Sequence, residues 1–316
     1  MERKMRAAVI HAFGGPEQIK TETLPVPDVH EGEVLVRIQA AGVNPVDAAV
    51  REGYMQKKLP HQFPLILGWD VAGIVADIGY SARRFEIGEG VYGYARRPLV
   101  QYGTYSEYIV LPESYLAHIP QQIPVTEAAG IPLAGLTAYQ CLFDAAQLQN
   151  HQSVLILGAS GGVGSIAIQL ARYQHAVIIA VASAANHAYM KELGADHTID
   201  YKDNHVGRAV RALMPQGVDL ILDLASGETL QQSLSALKPG GKLVSVLHSG
   251  KDLDPAIDFQ YVFVEPNTLQ LDHLRDLADS GQLKVHVSQT FTLDQAAEAH
   301  RQIQSHHTKG KLVIVL

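Results

Sequence analysis

The stretch Ser153–Arg172, SVLILGASGGVGSIAIQLAR, constrains this chain more than any other segment. Val154–Leu157 is a short uncharged apolar run, the pattern of a parallel strand covered on both faces. Ala159-x-Gly161-x-x-Gly164 follows, a dinucleotide fingerprint with alanine in the first glycine place. Gly161 lets backbone approach a pyrophosphate, and Gly164 lets the helix pack close to the strand. The helix N-terminus offers free N–H groups and a positive dipole end to the phosphates. Val163, Ile166, Ala167, Leu170 and Ala171 recur at helical spacing and form the expected buried face. Steric demand alone can put glycine in a tight strand-to-helix turn. Here a second apolar run, AVIIAVAS, completes the unit and favours the nucleotide reading. Ser160, Gly161, Gly162, Val163 and Gly164 are the expected phosphate contacts.

The chain of 316 residues has room for two domains. Its net charge of -7 comes from acids and bases spread along it, with no basic stripe, so nucleic acid is excluded as a partner. No apolar run approaches the ~18–20 residues of a membrane span. The charged start MERKMRAAVI runs directly into a strand-like segment, unlike a secretory signal, and Cys141 is the single cysteine. A cytoplasmic enzyme fits this pattern. Histidine occurs 15 times, but scattered. The adjacent pair His306-His307, in SHHTKG, reads as a solvated turn rather than a metal site, so no metal is expected.

Residues 1–128 are punctuated by glycine and proline between short strands. In Glu33–Gln39, EVLVRIQ, Val34, Val36 and Ile38 share one face, with Glu33, Arg37 and Gln39 on the other. That pattern predicts a mainly antiparallel β domain. After it, strands and helices alternate. Helices are predicted over Asn186–Leu193, Gly207–Met214 and Thr229–Leu237. Strands are predicted over His197–Tyr201, Val218–Ala225 and Lys242–Leu247. The alternation predicts an α/β, doubly wound parallel sheet. The closing residues end in a strand-like GKLVIVL and are expected to rejoin the first domain. The expected division is 1–128 with 268–316, and 129–267.

An NAD site usually places an acid about 20 residues after the glycine turn, on the ribose hydroxyls. VASAANHAY, from Val181 to Tyr189, contains none. A carboxylate would repel a 2′-phosphate, so NADPH is favoured. Ser183, Asn186, His187 and Tyr201 are the expected phosphate-holding groups, with no arginine at the strand end. Leu224–Ser226 and Leu247–Gly250 fall at strand ends, where open α/β sheets bind ligands.

AAGVNPVDAAVREG, FPLILGWDVAGIV, GTYSEYIVLP, PLAGLTAYQCL, LILGASGGVGSIAIQLA and LGADHTIDY together resemble the zinc-free quinone oxidoreductase branch of the medium-chain dehydrogenase/reductase superfamily. The resemblance runs over nearly the whole chain. It implies a GroES-like β domain and a Rossmann domain. The zinc members of that superfamily carry ligands where this chain has Asn44, Trp69 and Leu133. A four-cysteine structural site is impossible with one cysteine. The resemblance also places Thr137, Phe263, Val264 and Lys311 near the nicotinamide. It implies a homodimer paired around Asp258–Asn267.

Without a Lewis acid, hydride transfer suits acceptors that delocalise charge: quinones, or α,β-unsaturated carbonyls. The protein then supplies positioning, N–H donors and a proton. Asn44 is the expected amide donor and Tyr54 the expected phenol, lying over the nicotinamide. Asp47 either orients this loop or caps the helix after it. Cys141 reads as a buried structural thiol. The leading expectation is NADPH-dependent quinone reduction, with enone reduction as the alternative. A methyltransferase also uses a glycine turn, but it wants the acid that is missing here. A non-catalytic NADPH sensor on the same scaffold is the remaining alternative.

Overall fold

The structure, a computed structural model, describes residues 3–203, 205–305 and 308–316. The His306-His307 pair lies outside the described residues. The chain forms two compact units. Unit 1 comprises residues 1–133, 265–281 and 285–316, and unit 2 comprises residues 134–264 and 282–284.

Unit 1 opens with β1 (Lys4–Ile10), β2 (Lys20–Pro25), β3 (Glu33–Val43) and helix α1 (Pro45–Arg51). β4 (Leu65–Ile66), β5 (Asp70–Ile78), β6 (Gly90–Tyr94), β7 (Tyr108–Pro112) and β8 (Leu116–His118) follow, then the short α2 (Val125–Ala128). α3 (Pro132–Tyr139) crosses into unit 2 and continues as a π-helical turn over Gln140–Ala145. Unit 2 then runs β9 (Ser153–Leu157), α4 (Gly162–Tyr173), β10 (Val177–Val181), α5 (His187–Leu193), β11 (His197–Ile199), α6 (Val206–Leu213), β12 (Val218–Asp223), α7 (Gly227–Ser233), β13 (Leu237–Ser245) and β14 (Asp258–Tyr261). The chain returns to unit 1 for α8 (Thr268–Asp279), β15 (Val287–Thr292), α9 (Ala296–Gln304) and β16 (Lys311–Val315).

In unit 1 the larger sheet has the order β15-β16-β3-β5-β6-β8, with β7 also paired to β3. Its pairings are antiparallel except β15 with β16. The alternation read in EVLVRIQ holds: Val34, Val36 and Ile38 are buried in one core with Val71, Val75 and Phe85. Leu35 is buried as well, so both faces of this strand are partly covered.

Unit 2 is a six-stranded parallel sheet in the order β11-β10-β9-β12-β13-β14. Counted from its first strand this is 3-2-1-4-5-6, the order of a doubly wound dinucleotide fold. Leu155, Leu157, Ile179, Val181, Ile221 and Leu243 fill the core on one side. The expected element types are all present, and several ends differ. α5 starts at His187 because a 3-10 turn, Ala184–Asn186, precedes it. The helix predicted to Leu237 stops at Ser233 and tightens into a 3-10 turn. β13 starts at Leu237 rather than Lys242, since a register shift against β12 absorbs Gly240-Gly241. Burial of α4 wraps nearly all round from Gly164 to Ala171, whereas Val163, in the first turn, is only half-buried. No helix among the described residues is long and apolar enough to cross a membrane.

Candidate functional site

In unit 2 the crevice outside the carboxyl ends of β9, β10, β12 and β13 gathers most of the residues expected to hold a nucleotide. The turn after β9 enters α4 with Gly161 as its extended N-cap. Two glycines there have different reasons. A Cβ at Gly164 would lie 2.5 Å from Gly158 O and 2.6 Å from Ala159 Cα, so close packing demands glycine. A Cβ at Gly161 would meet only Gly158 O, at 3.5 Å, an ordinary contact. Nothing inside the fold requires glycine at 161, which leaves the space above the helix N-terminus open to a ligand. The first-turn N–H groups of a helix lack intrahelical acceptors and face that space.

Ser160, Ser183 and Asn186 come together at the end of β10. Asn186 Nδ2 donates to Ser160 Oγ at 3.1 Å and lies 3.4 Å from Ser183 Oγ. Beside them, His187 Nε2 is buried without a hydrogen-bond partner among the described residues. An unanticipated acid is also present. Asp200, beyond β11, accepts from Ala184 N at 2.8 Å and from Lys202 N at 2.9 Å. The Lys202 N–H, with that of Ala184, holds its carboxyl below the usual range, so Asp200 is ionised and both its oxygens are engaged. It escaped notice in the sequence because it comes from the neighbouring strand's end rather than from VASAANHAY. Tyr201, next to it, is exposed. Past the ends of β12 and β13, Leu224 and Ser226 are half-buried and Leu247 is exposed; elsewhere in unit 2, Thr137 and Val264 are buried and Phe263 is half-buried. The open space at Gly161, the donors of α4 and the orphaned His187 nitrogen fit a dinucleotide phosphate and adenosine end.

In unit 1 the structure builds a buried polar cluster around the N-terminus of α1. Asn44 is the N-cap, and its backbone N–H donates to Asp47 Oδ2 at 2.8 Å, half of a capping box. Asp47 therefore does cap the helix. Asn44 Nδ2 donates to Asp70 Oδ2 at 2.8 Å, and Asn44 Oδ1 accepts from Lys311 Nζ. Lys311 also reaches Asp70 Oδ2 at 3.2 Å, and Asp70 Oδ1 accepts from Leu133 N at 2.6 Å. Asn44, Asp70 and Lys311 are all nearly inaccessible, so a charged donor is fixed in a dry setting. Lys311 was expected with the cofactor set; the structure seats it against Asn44, a contact between residues far apart in sequence.

Tyr105 OH donates to Asp47 Oδ2 at 3.0 Å, while Asp47 Oδ1 has no partner among the described residues. Burial, with the neighbouring Asp70, pushes the Asp47 carboxyl up to about 7 against the lowering effect of its hydrogen bonds and Lys311. At the other end of α1, Arg51 is fully buried. It donates to Gly14 O and Gln304 Oε1, pairs with Glu52, and reaches His300 Nδ1 at 2.9 Å. Burial and Arg51 push His300 down to about 3, so its imidazole is neutral. Sequence reading missed this anchor; a lone Arg at a helix end gives no local signal of burial. Tyr54 lies just past α1, and its side chain is three-quarters exposed (75%), unlike Asn44 at 3%. Trp69 is buried and edge-on to Tyr94. Cys141 is buried, and that burial pushes its thiol up to about 12. Among the described residues no group of three or more His, Cys, Asp or Glu is placed to hold a metal.

Residues 30–121 match the alcohol dehydrogenase GroES-like domain, and residues 193–314 match a zinc-binding dehydrogenase family. A human protein named as a mitochondrial NAD(P)H oxidoreductase is 31% identical, over 98% of this chain and 89% of its own length. An Arabidopsis thaliana protein named as a chloroplastic NADPH-dependent alkenal/one oxidoreductase is 31% identical, over 99% and 80%. The structure of a quinone oxidoreductase from Coxiella burnetii superposes with a TM-score of 0.90 at 30% identity, covering 99% of this chain and 100% of that one.

Proposed function

The chain belongs to the medium-chain dehydrogenase/reductase superfamily, among its quinone oxidoreductase-like members, and on that premise we propose that it is an NADPH-dependent quinone oxidoreductase. An NAD(P)H oxidoreductase activity follows from its relatives; the quinone and the phosphate are the finer reading. The observation that carries it is the buried Asn44–Asp70–Lys311 cluster, which supplies fixed N–H donors at the N-terminus of α1.

The bound nucleotide would supply a hydride at its nicotinamide. Gly161 and the α4 N-terminus would receive its pyrophosphate, and Ser160, Ser183, Asn186, His187 and Tyr201 its 2′-phosphate. Thr137, Leu224, Ser226, Leu247, Phe263 and Val264 would border the nicotinamide. Lys311 has three N–H bonds, of which Asn44 and Asp70 engage two. Its third, with the Asn44 amide, would stabilise the charge that develops on the reduced acceptor's oxygen. Asp70 holds the Lys311 ammonium in place through its Oδ2. Asp47, carrying a proton below about pH 7, and Tyr54 are the proton-bearing groups of this loop. We further propose a homodimer paired through β14, the exposed edge strand of the unit 2 sheet.

Reduction of an activated enone is the second reading, favoured by the Arabidopsis relative's name. Both acceptors spread the new charge by delocalisation. Turnover with NADPH against a panel of quinones and a panel of enones tests the assignment. Faster consumption with quinones supports it. Turnover confined to enones replaces it, and nucleotide binding with no turnover on either panel points to a sensor.

A further inference from the structure

We propose that Asp223 is a positioning residue that sets the shape of the nicotinamide side of the cofactor site; this rests on the dinucleotide reading above. Asp223 ends β12, the central strand beside β9, and it is completely buried. Among the described residues it has no ion-pair partner. A buried carboxylate without a countercharge is costly unless hydrogen bonds satisfy it fully. Here they do: two come from the loop leaving β12, and the third from Ser245, the last residue of β13.

Asp223 Oδ1 accepts from Ser226 N at 2.7 Å and from Ala225 N at 3.1 Å. Its Oδ2 accepts the hydroxyl of Ser245 at 2.6 Å. Ser245 is the register partner of Asp223 on β13 and is equally buried. Its Oγ in turn accepts from Leu247 N at 3.1 Å and His248 N at 2.8 Å. One carboxylate thus shapes the loop after β12 directly and the loop after β13 through one hydroxyl. These loops carry Leu224, Ser226 and Leu247.

Two further observations give this bracing a purpose. Ser226 sits at φ 60°, ψ -168°, a backbone region natural only to glycine, and such a residue persists where its surroundings over-determine it. The Asp223 bonds to the two N–H groups are what hold it. The glycine turn also leans on the same loop: at Gly158, φ +73°, an added Cβ would lie 3.1 Å from Leu224 O. The loops after β12 and β13 therefore take their positions from this buried carboxylate, and the glycine turn packs against the first of them.

Asp223→Asn tests this. The amide keeps an acceptor for the two N–H groups but meets the Ser245 hydroxyl with a donor, while that oxygen already accepts two bonds. NADPH affinity, read by fluorescence titration, should fall at least tenfold, about 1.4 kcal/mol. Ser245→Ala should weaken it in the same direction, and the double variant should lose less than the product of the two. Asp219→Asn is the control, because Asp219 braces the opposite end of β12 through Ser153 and Lys238. It should lower the melting temperature while leaving NADPH affinity within twofold of wild type. Should Asp223→Asn not fold, Ser245→Ala carries the same comparison. A folded Asp223→Asn or Ser245→Ala that binds NADPH like wild type overturns the proposal. Equal losses in Asp219→Asn overturn it too, since stability alone would then explain them. A wild-type chain that binds neither NADPH nor NADH overturns the dinucleotide reading and this inference together.

Discussion

Replacing Asp47 by asparagine should stabilise the protein, and the gain should grow as pH rises. The Asp47 carboxyl moves from 3.8 to about 7 on folding, chiefly because burial disfavours its charge. Between these values the folded chain keeps a proton that the unfolded chain has released. Stability therefore falls as pH climbs through that window, by about 1.4 kcal/mol per pH unit. From about pH 5 to about pH 7 the loss amounts to roughly 2.7 kcal/mol for wild type. Above about pH 7 both states are ionised and the full cost stands. The asparagine variant does not titrate, and its carbonyl can still accept from Asn44 N and Tyr105 OH. His300 acts with the opposite sign. Its imidazole is pushed from 6.5 to about 3, so stability rises with pH across that range. In wild type the two slopes oppose each other, but His300 is common to both proteins and cancels in the difference. Calorimetry at about pH 5 and about pH 8 should show the melting-temperature advantage of Asp47→Asn widening by roughly 5–10 °C, at about 2–4 °C per kcal/mol. An advantage that stays constant across that range, or reverses, would refute the claim that Asp47 is buried as a neutral acid.

Ser183→Asp should weaken NADPH by at least tenfold and leave NADH nearly unaffected, through repulsion of the 2′-phosphate; equal titration curves for both nucleotides in wild type would remove the phosphate assignment. Tyr54→Phe should lower turnover while NADPH affinity holds, since ring and packing remain. An unchanged rate with both a quinone and an enone would make Tyr54 a cover and leave proton delivery to Asp47 or water. Light scattering at micromolar concentration should give twice the chain mass of 34.3 kDa, and a monomer mass would dismiss pairing through β14.

What the sequence disclosed was whatever has a local pattern. The strand, glycine turn and helix at Ser153–Tyr173 are written in consecutive residues, and so is the alternation of EVLVRIQ. Asp47 was legible as a cap for the helix after it, whereas Asn44 was legible only as an amide donor and its place at the N-cap was not. Long-range polar contacts carry no such signature. Lys311 meets Asn44 across most of the chain, because β16 pairs with β3. Asp200 reaches the β10 end from the next strand, and Arg51 looks like a surface residue until α9 packs on it. Asp223 had a faint signal: an acid closing the apolar run of VDLILD, where a buried strand should have none. Element ends moved where 3-10 turns and a register shift replaced ideal geometry, which apolar periodicity does not encode.

The central claim is that hydride reaches a quinone with Lys311 stabilising the new charge. It is tested most directly by Lys311→Met, which removes the ammonium and keeps much of the buried stem. Anaerobic single-turnover loss of the reduced-nicotinamide absorbance, with NADPH and quinone saturating, should slow by about a hundredfold, or ~2.7 kcal/mol of lost charge stabilisation. Wild type should consume one NADPH per quinone reduced. A Lys311→Met protein that turns over at the wild-type rate, or a wild type that holds NADPH without oxidising it, would contradict the account.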